Sequence, residues 1–97
     1  TAYLINTSRG PLIDHNALFE ALEQNLIAGA ALDVFEPEPP DLGHPLYQHE
    51  RVIVTPHVAF LSEESLIALR TAATQQIADV LQGNRPRNVV NPEIYSN

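Results

Sequence analysis

Ninety-seven residues with 44% apolar content suit one small domain. The net charge is −7 and all five basic residues are arginine, which argues against nucleic acid or an anionic membrane as a partner. The absence of cysteine excludes a disulfide framework or a thiolate site and favours a cytoplasmic setting, and no apolar run approaches the roughly 20 residues that span a bilayer.

The chain opens within an apolar run, Ala2-Tyr3-Leu4-Ile5-Asn6, that reads as a strand, and position 1 is not methionine. Both features give the expectation of a piece of a longer protein. Turn-forming residues follow, Asn6-Thr7-Ser8-Arg9-Gly10-Pro11, with one charge among them. Asp14 is a helix N-cap candidate, because Leu18, Ala21 and Leu22 then share one face at helical spacing. That helix is expected to fade near Asn25.

The stretch Ala28–Val34 predicts a second strand. Its residues to Leu32 carry no charge, which suits burial on both faces. Asp33 ends it, and Glu38 follows on a loop stiffened by Pro37, Pro39 and Pro40. Residues 36–50 are expected to form a loop with at most one helical turn, near Leu46-Tyr47-Gln48. Val52–Val54 predicts a third strand, ending at Thr55-Pro56-His57. Ser62 then caps a long helix, Glu63 to about Leu81, with an apolar stripe through Leu66, Leu69, Ala73, Ile77, Val80 and Leu81. Gly83 suits the left-handed position after its end. The tail from Asn84 reads as an extended arm.

The β-α-β spacing of the first two strands favours parallel pairing, and the fold class is α/β. In such sheets ligands bind beyond the carboxyl ends of the strands. Arg9, the pair Asp33 and Glu38, and His57 would then line one edge. A guanidinium offers a planar fork to a carboxylate or carbonyl. Histidine exchanges a proton near neutral pH, and a neighbouring carboxylate favours its charged form. The set suits a small anionic molecule and the movement of one proton. Each residue also has a plainer reading: Arg9 as a surface charge, Asp33 as a turn cap, Glu38 as a solvated acid, His57 as a partner for backbone groups. His44, His49 and His57 match no metal-ligand spacing, so no metal site is expected.

Three blocks carry a family resemblance: Ile5-Asn6-Thr7-Ser8-Arg9-Gly10-Pro11-Leu12-Ile13-Asp14, then Ala31-Leu32-Asp33-Val34-Phe35-Glu36-Pro37-Glu38-Pro39, then Val54-Thr55-Pro56-His57-Val58-Ala59. In order and spacing they resemble the carboxyl-terminal half of the nucleotide-binding domain of D-isomer-specific 2-hydroxyacid dehydrogenases, closest in character to the glyoxylate/hydroxypyruvate reductases. The resemblance implies half of a Rossmann-type doubly wound parallel sheet, with residues 1–83 in the dinucleotide-binding domain and 84–97 crossing back toward a substrate domain. It implies NAD or NADP as cofactor, a small 2-oxo or 2-hydroxy acid as substrate, and a homodimeric parent enzyme. Arg9 would hold the substrate carboxylate and carbonyl, His57 would be the acid/base, and Glu38 would hydrogen-bond His57. Asp33 would meet the nicotinamide carboxamide. Thr7, Ser8 and Ala59 would line the cofactor, with Arg9 and His57 also against it.

The sequence contains no Gly-x-Gly-x-x-Gly, so the pyrophosphate-binding turn of such a domain is not among these residues. A dinucleotide-sensing, corepressor-like protein of the same fold family is the alternative function, and a purely structural domain is a third.

Overall fold

A computed structural model describes residues 1–96 and divides into two compact units, Thr1–Ala59 and the chain from Phe60 onward.

The first unit is built on three strands, β1 (Tyr3–Asn6), β2 (Gly29–Leu32) and β3 (Val52–Val54). All are parallel, in the order β1-β2-β3. The register sets Leu4 beside Ala30 and Val52, and Ile5 beside Ala31 and Ile53. The ladder continues past the strands, where Asp33 N donates to Asn6 O and Thr55 N to Leu32 O, each at 3.0 Å. The carboxyl ends of all three strands therefore reach one edge together.

Helix α1 (His15–Glu23) crosses between β1 and β2. The Asp14 carboxylate accepts from the amides of Asn16 and Ala17, at 3.0 Å each, and satisfies two donors the helix leaves unpaired. Asn25, in the left-handed region at φ 57°, turns the chain just after α1. Arg51 ties β3 to the end of α1. Its guanidinium donates to the carbonyls of Leu22 and Ile27, a cation at the negative end of the helix. A single turn, α2 (Pro45–Gln48), interrupts the loop before β3.

Leu18 and Leu22 of α1, Ala30 and Leu32 of β2, Phe35, and Leu46 of α2 form the buried core, with Leu4, Ile13 and Val52 packed against it. Each buried leucine contributes about 1.5–3 kcal/mol from apolar area removed from water. Only one face of the sheet is covered in this way. On the other face Gly29 of β2 is buried and Ala31 half-buried, but the row neighbours of Ala31, Ile5 of β1 and Ile53 of β3, are 71% and 68% exposed. Uncharged composition signals a tendency to bury, and the covering layer on that side is not supplied by the described residues of this unit.

In the second unit, α3 (Glu63–Leu81) begins at a reciprocal cap. Ser62 Oγ accepts from Ser65 N and Ser65 Oγ from Ser62 N, both at 3.1 Å. It ends at Gly83, whose φ of 79° is the left-handed conformation that glycine adopts without a Cβ clash. No residue of α3 is buried, and Leu69, Ile77, Val80 and Leu81 of its apolar stripe are exposed. Part of the expected extended tail is a 3-10 turn, Pro92–Tyr95. No described helix is long and apolar enough to cross a membrane.

Candidate active site

The turn after β1 is shaped by the side chain of Asn6. Asn6 is 5% exposed. Its Oδ1 accepts from Ser8 N at 3.1 Å and its Nδ2 donates to Arg9 O at 2.9 Å. The chain therefore folds tightly over residues 6–9 and brings Thr7, Ser8 and Arg9 to the exposed strand edge. The Arg9 guanidinium is steadied by its own turn, donating to Ser8 O at 2.8 Å.

Gly10 seats this turn against the loop after β2. An added Cβ would lie 2.0 Å from Phe35 O and 2.7 Å from Glu36 N. Only glycine permits so close an approach of two backbones. The Phe35 amide in turn donates to Glu38 Oε1 at 3.0 Å. A continuous set of contacts thus runs from the Arg9 turn to the Glu38 carboxylate.

Glu38 meets His57 across 19 residues of sequence, with His57 Nδ1 at 2.8 Å from Glu38 Oε2. Both side chains are 37% exposed, within reach of a solute. The bond to His57 holds the Glu38 carboxyl below its ordinary pKa; the Phe35 amide and the charges of His57 and Arg9 act in the same direction, and partial desolvation opposes them. An ionised Glu38 only accepts, so Nδ1 of His57 carries the proton in this pair. Arg9, Glu38 and His57 come together at one edge, as the strand ends suggest.

Asp33 is 3% exposed and is engaged by the loop that carries His57. Its Oδ1 accepts from Thr55 Oγ1 at 2.6 Å and from Val58 N at 2.9 Å, and its Oδ2 from Ala59 N at 2.9 Å. The Thr55 bond is the main reason its carboxyl lies below the ordinary value, with the Val58 and Ala59 amides and the His57 charge adding to it against the cost of burial. The turn-cap reading of Asp33 is therefore realised. A carboxylate offers about four acceptor positions, so Oδ2 retains capacity for another donor. His57 itself has φ 53°, a conformation that costs a non-glycine residue about 1 kcal/mol. Asn6, Gly10 and Thr55 make contacts at this edge that the sequence alone does not single out. The Asn-Thr-Ser turn chemistry signals Asn6, whereas nothing local signals the contact of Gly10 with Phe35.

The remaining histidines have other partners. His49 accepts from Arg51 N at Nδ1 and meets Glu23 at Nε2, 3.3 Å away. His44 accepts from Leu46 N and pairs with Asn16 Oδ1 at 2.9 Å. No group of three ligating side chains suited to a metal ion occurs among the described residues.

Residues 1–59, which hold every group of this edge, match the NAD binding domain of the D-isomer specific 2-hydroxyacid dehydrogenases. The chain belongs to this family. Among its relatives, a glyoxylate reductase from Thermofilum pendens is 46% identical over 94 residues, covering 97% of this chain and 28% of the relative. Glyoxylate/hydroxypyruvate reductase B of Escherichia coli is 38% identical, covering 97% of this chain and 29% of its own length. The chain thus spans under a third of the length of these two relatives. A D-isomer specific 2-hydroxyacid dehydrogenase from Xanthobacter autotrophicus, solved with NADPH, superposes with a TM-score of 0.76 at 39% identity, over 96% of this chain and 38% of that one. An NADPH-dependent glyoxylate/hydroxypyruvate reductase from Sinorhizobium meliloti, solved with NADP and sulfate, gives 0.73 at 34% identity, over 92% and 28%. The dehydrogenase fold expected from the three sequence blocks is the one observed.

Proposed function

We propose that the protein carrying this chain is an NAD(P)-dependent oxidoreductase that interconverts a small 2-oxo acid and its D-2-hydroxy acid, with glyoxylate or hydroxypyruvate as substrate. The observation that carries this reading is the His57–Glu38 pair at the carboxyl edge of the sheet, 2.8 Å apart and half-exposed, with the Arg9 charge acting on it. The names of the relatives favour the glyoxylate/hydroxypyruvate class.

The donor set fits a nicotinamide. Thr7, Ser8 and the small Ala59 are exposed at this edge, and Asp33 Oδ2, bonded to Ala59 N, keeps acceptor capacity for a carboxamide N–H. A bound nicotinamide supplies the hydride that reduces C2 of the oxo acid. In that reaction Arg9 fixes the carboxylate and carbonyl oxygens of the substrate through its planar fork. His57 gives the proton of Nε2 to the carbonyl oxygen as it gains charge, and takes it back in the reverse direction. Glu38 holds the ring in place through Nδ1, so that the proton to be given stands on a fixed imidazole.

The test is turnover by the full-length protein of glyoxylate and hydroxypyruvate with NADH and with NADPH, followed by loss of nicotinamide absorbance. Consumption of either cofactor, dependent on the oxo acid and yielding the D-hydroxy acid, is the expected result. Tight dinucleotide binding with no turnover of any 2-oxo acid would replace this reading with the sensing alternative.

A further inference from the structure

The left-handed backbone of His57 is bracketed by one carboxylate. Asp33 accepts on the amino-terminal side of His57 from Thr55 Oγ1, at 2.6 Å, and on the carboxyl-terminal side from the amides of Val58 and Ala59, both at 2.9 Å. A fourth bond closes the turn within the loop, His57 N donating to Thr55 O at 3.0 Å. The φ of 53° at His57 is one that a side-chain-bearing residue keeps only when its surroundings over-determine it. Here they do: β3 delivers Thr55, whose amide is already fixed on Leu32 O, and the buried Asp33 is fixed at the end of β2. The hydroxyl of Thr55 is the one side-chain donor in this brace; the other two are backbone amides.

We infer that Thr55 is a positioning residue for His57: its hydroxyl, acting through the Asp33 carboxylate, holds the left-handed turn that presents the imidazole to Glu38. As a statement about catalysis this rests on the oxidoreductase reading above; as a statement about geometry it does not. The Thr55 hydroxyl reaches the Asp33 carboxylate, and its effect travels through Asp33 and the turn. Removal of the donor leaves Asp33 Oδ1 with the Val58 amide alone and frees the amino-terminal side of the bracket.

The experiment uses the full-length protein as wild type, Thr55→Val and Thr55→Ser, with two readouts. The first is kcat for oxo-acid reduction beside the dissociation constant of the nicotinamide dinucleotide. The second, independent of turnover, is the downfield NMR signal of the His57 Nδ1 proton shared with Glu38. Thr55→Val is expected to lower kcat at least tenfold with dinucleotide affinity within threefold of wild type, and to broaden or lose the proton signal. Thr55→Ser, which keeps the hydroxyl, is expected to retain both. A valine variant with wild-type kcat and signal overturns the proposal, and so does a serine variant that loses both, because packing of the methyl rather than the hydroxyl would then be responsible. A wild-type protein that turns over no oxo acid, yet shows the signal pattern above across the three proteins, supports the positioning role and removes only the reaction assigned to the site.

Discussion

Replacing Gly10 with alanine tests whether the Arg9 turn and the Glu38 loop are held in one geometry by direct backbone contact. The new Cβ would stand 2.0 Å from Phe35 O and 2.1 Å from Phe35 C, where real Cβ atoms approach no closer than 3.0 Å. One backbone must therefore retreat by about 1 Å, and neither atom belongs to a flexible side chain that can swing away. Overpacking of this kind costs about 1–3 kcal/mol, and the rigidity of both partners places Gly10→Ala at the upper end. In a domain of 150–250 residues each kcal/mol lowers Tm by roughly 2–4 °C. The functional effect is expected to exceed the stability effect, since a misplacement of about 1 Å between groups that must act together can cost a hundredfold in rate. Thermal unfolding and steady-state kinetics on the full-length variant measure both. A Gly10→Ala protein with wild-type Tm and kcat would show that the contact is not rigid and that the reasoning from Gly10 to Glu38 is wrong.

Arg9→Lys should raise KM for the oxo acid at least tenfold, because an ammonium cannot form the bidentate fork; an unchanged KM would remove Arg9 from substrate anchoring. His15 gives a pH dependence. Burial, aided by the charge of His44 and opposed by Asp14 and Glu36, lowers its pKa below the ordinary 6.5. The unfolded chain then binds more protons between the lowered value and 6.5, so its contribution to stability is complete above 6.5 and is lost as pH falls toward the lowered value. Urea unfolding at a series of pH values should show this loss in wild type and a shallower slope in His15→Gln; parallel slopes would contradict it. The 97 residues alone, with an open apolar sheet face and no glycine fingerprint, should self-associate and hold dinucleotide poorly. Sedimentation and NADH titration check this, and micromolar binding by a well-folded monomer would refute it.

What was legible in the sequence is mostly what is decided locally. Asp14, Ser62 and Gly83 act within a few residues of themselves, and each caps its helix as its chemistry suggests. The three strands lie parallel and lead into Arg9, Asp33 and His57 because short apolar runs between turn signals have few other ways to pair once a helix separates the first two. The illegible part joins segments distant in sequence. Thr55 reaches Asp33 across 22 residues, and Gly10 meets Phe35 through backbone alone. The left-handed φ of His57 has only a weak signature in residue type, and the Asp33 bonds that flank it join distant segments. The exposure of Ile5 and Ile53 was hidden for a related reason: an apolar pattern states which side chains seek cover and is silent on what provides it.

The measurement that bears most directly on the central claim is the kinetics of His57→Gln in the full-length protein. Glutamine keeps a polar side chain able to meet Glu38 and removes only the titrating ring. If His57 is the acid that protonates the carbonyl oxygen, kcat for reduction of glyoxylate or hydroxypyruvate falls by about 10²–10⁴-fold while the dissociation constant for NADH or NADPH stays near the wild-type value. A kcat within tenfold of wild type would contradict the assignment of His57, and with it the active site built from Arg9, Glu38 and His57.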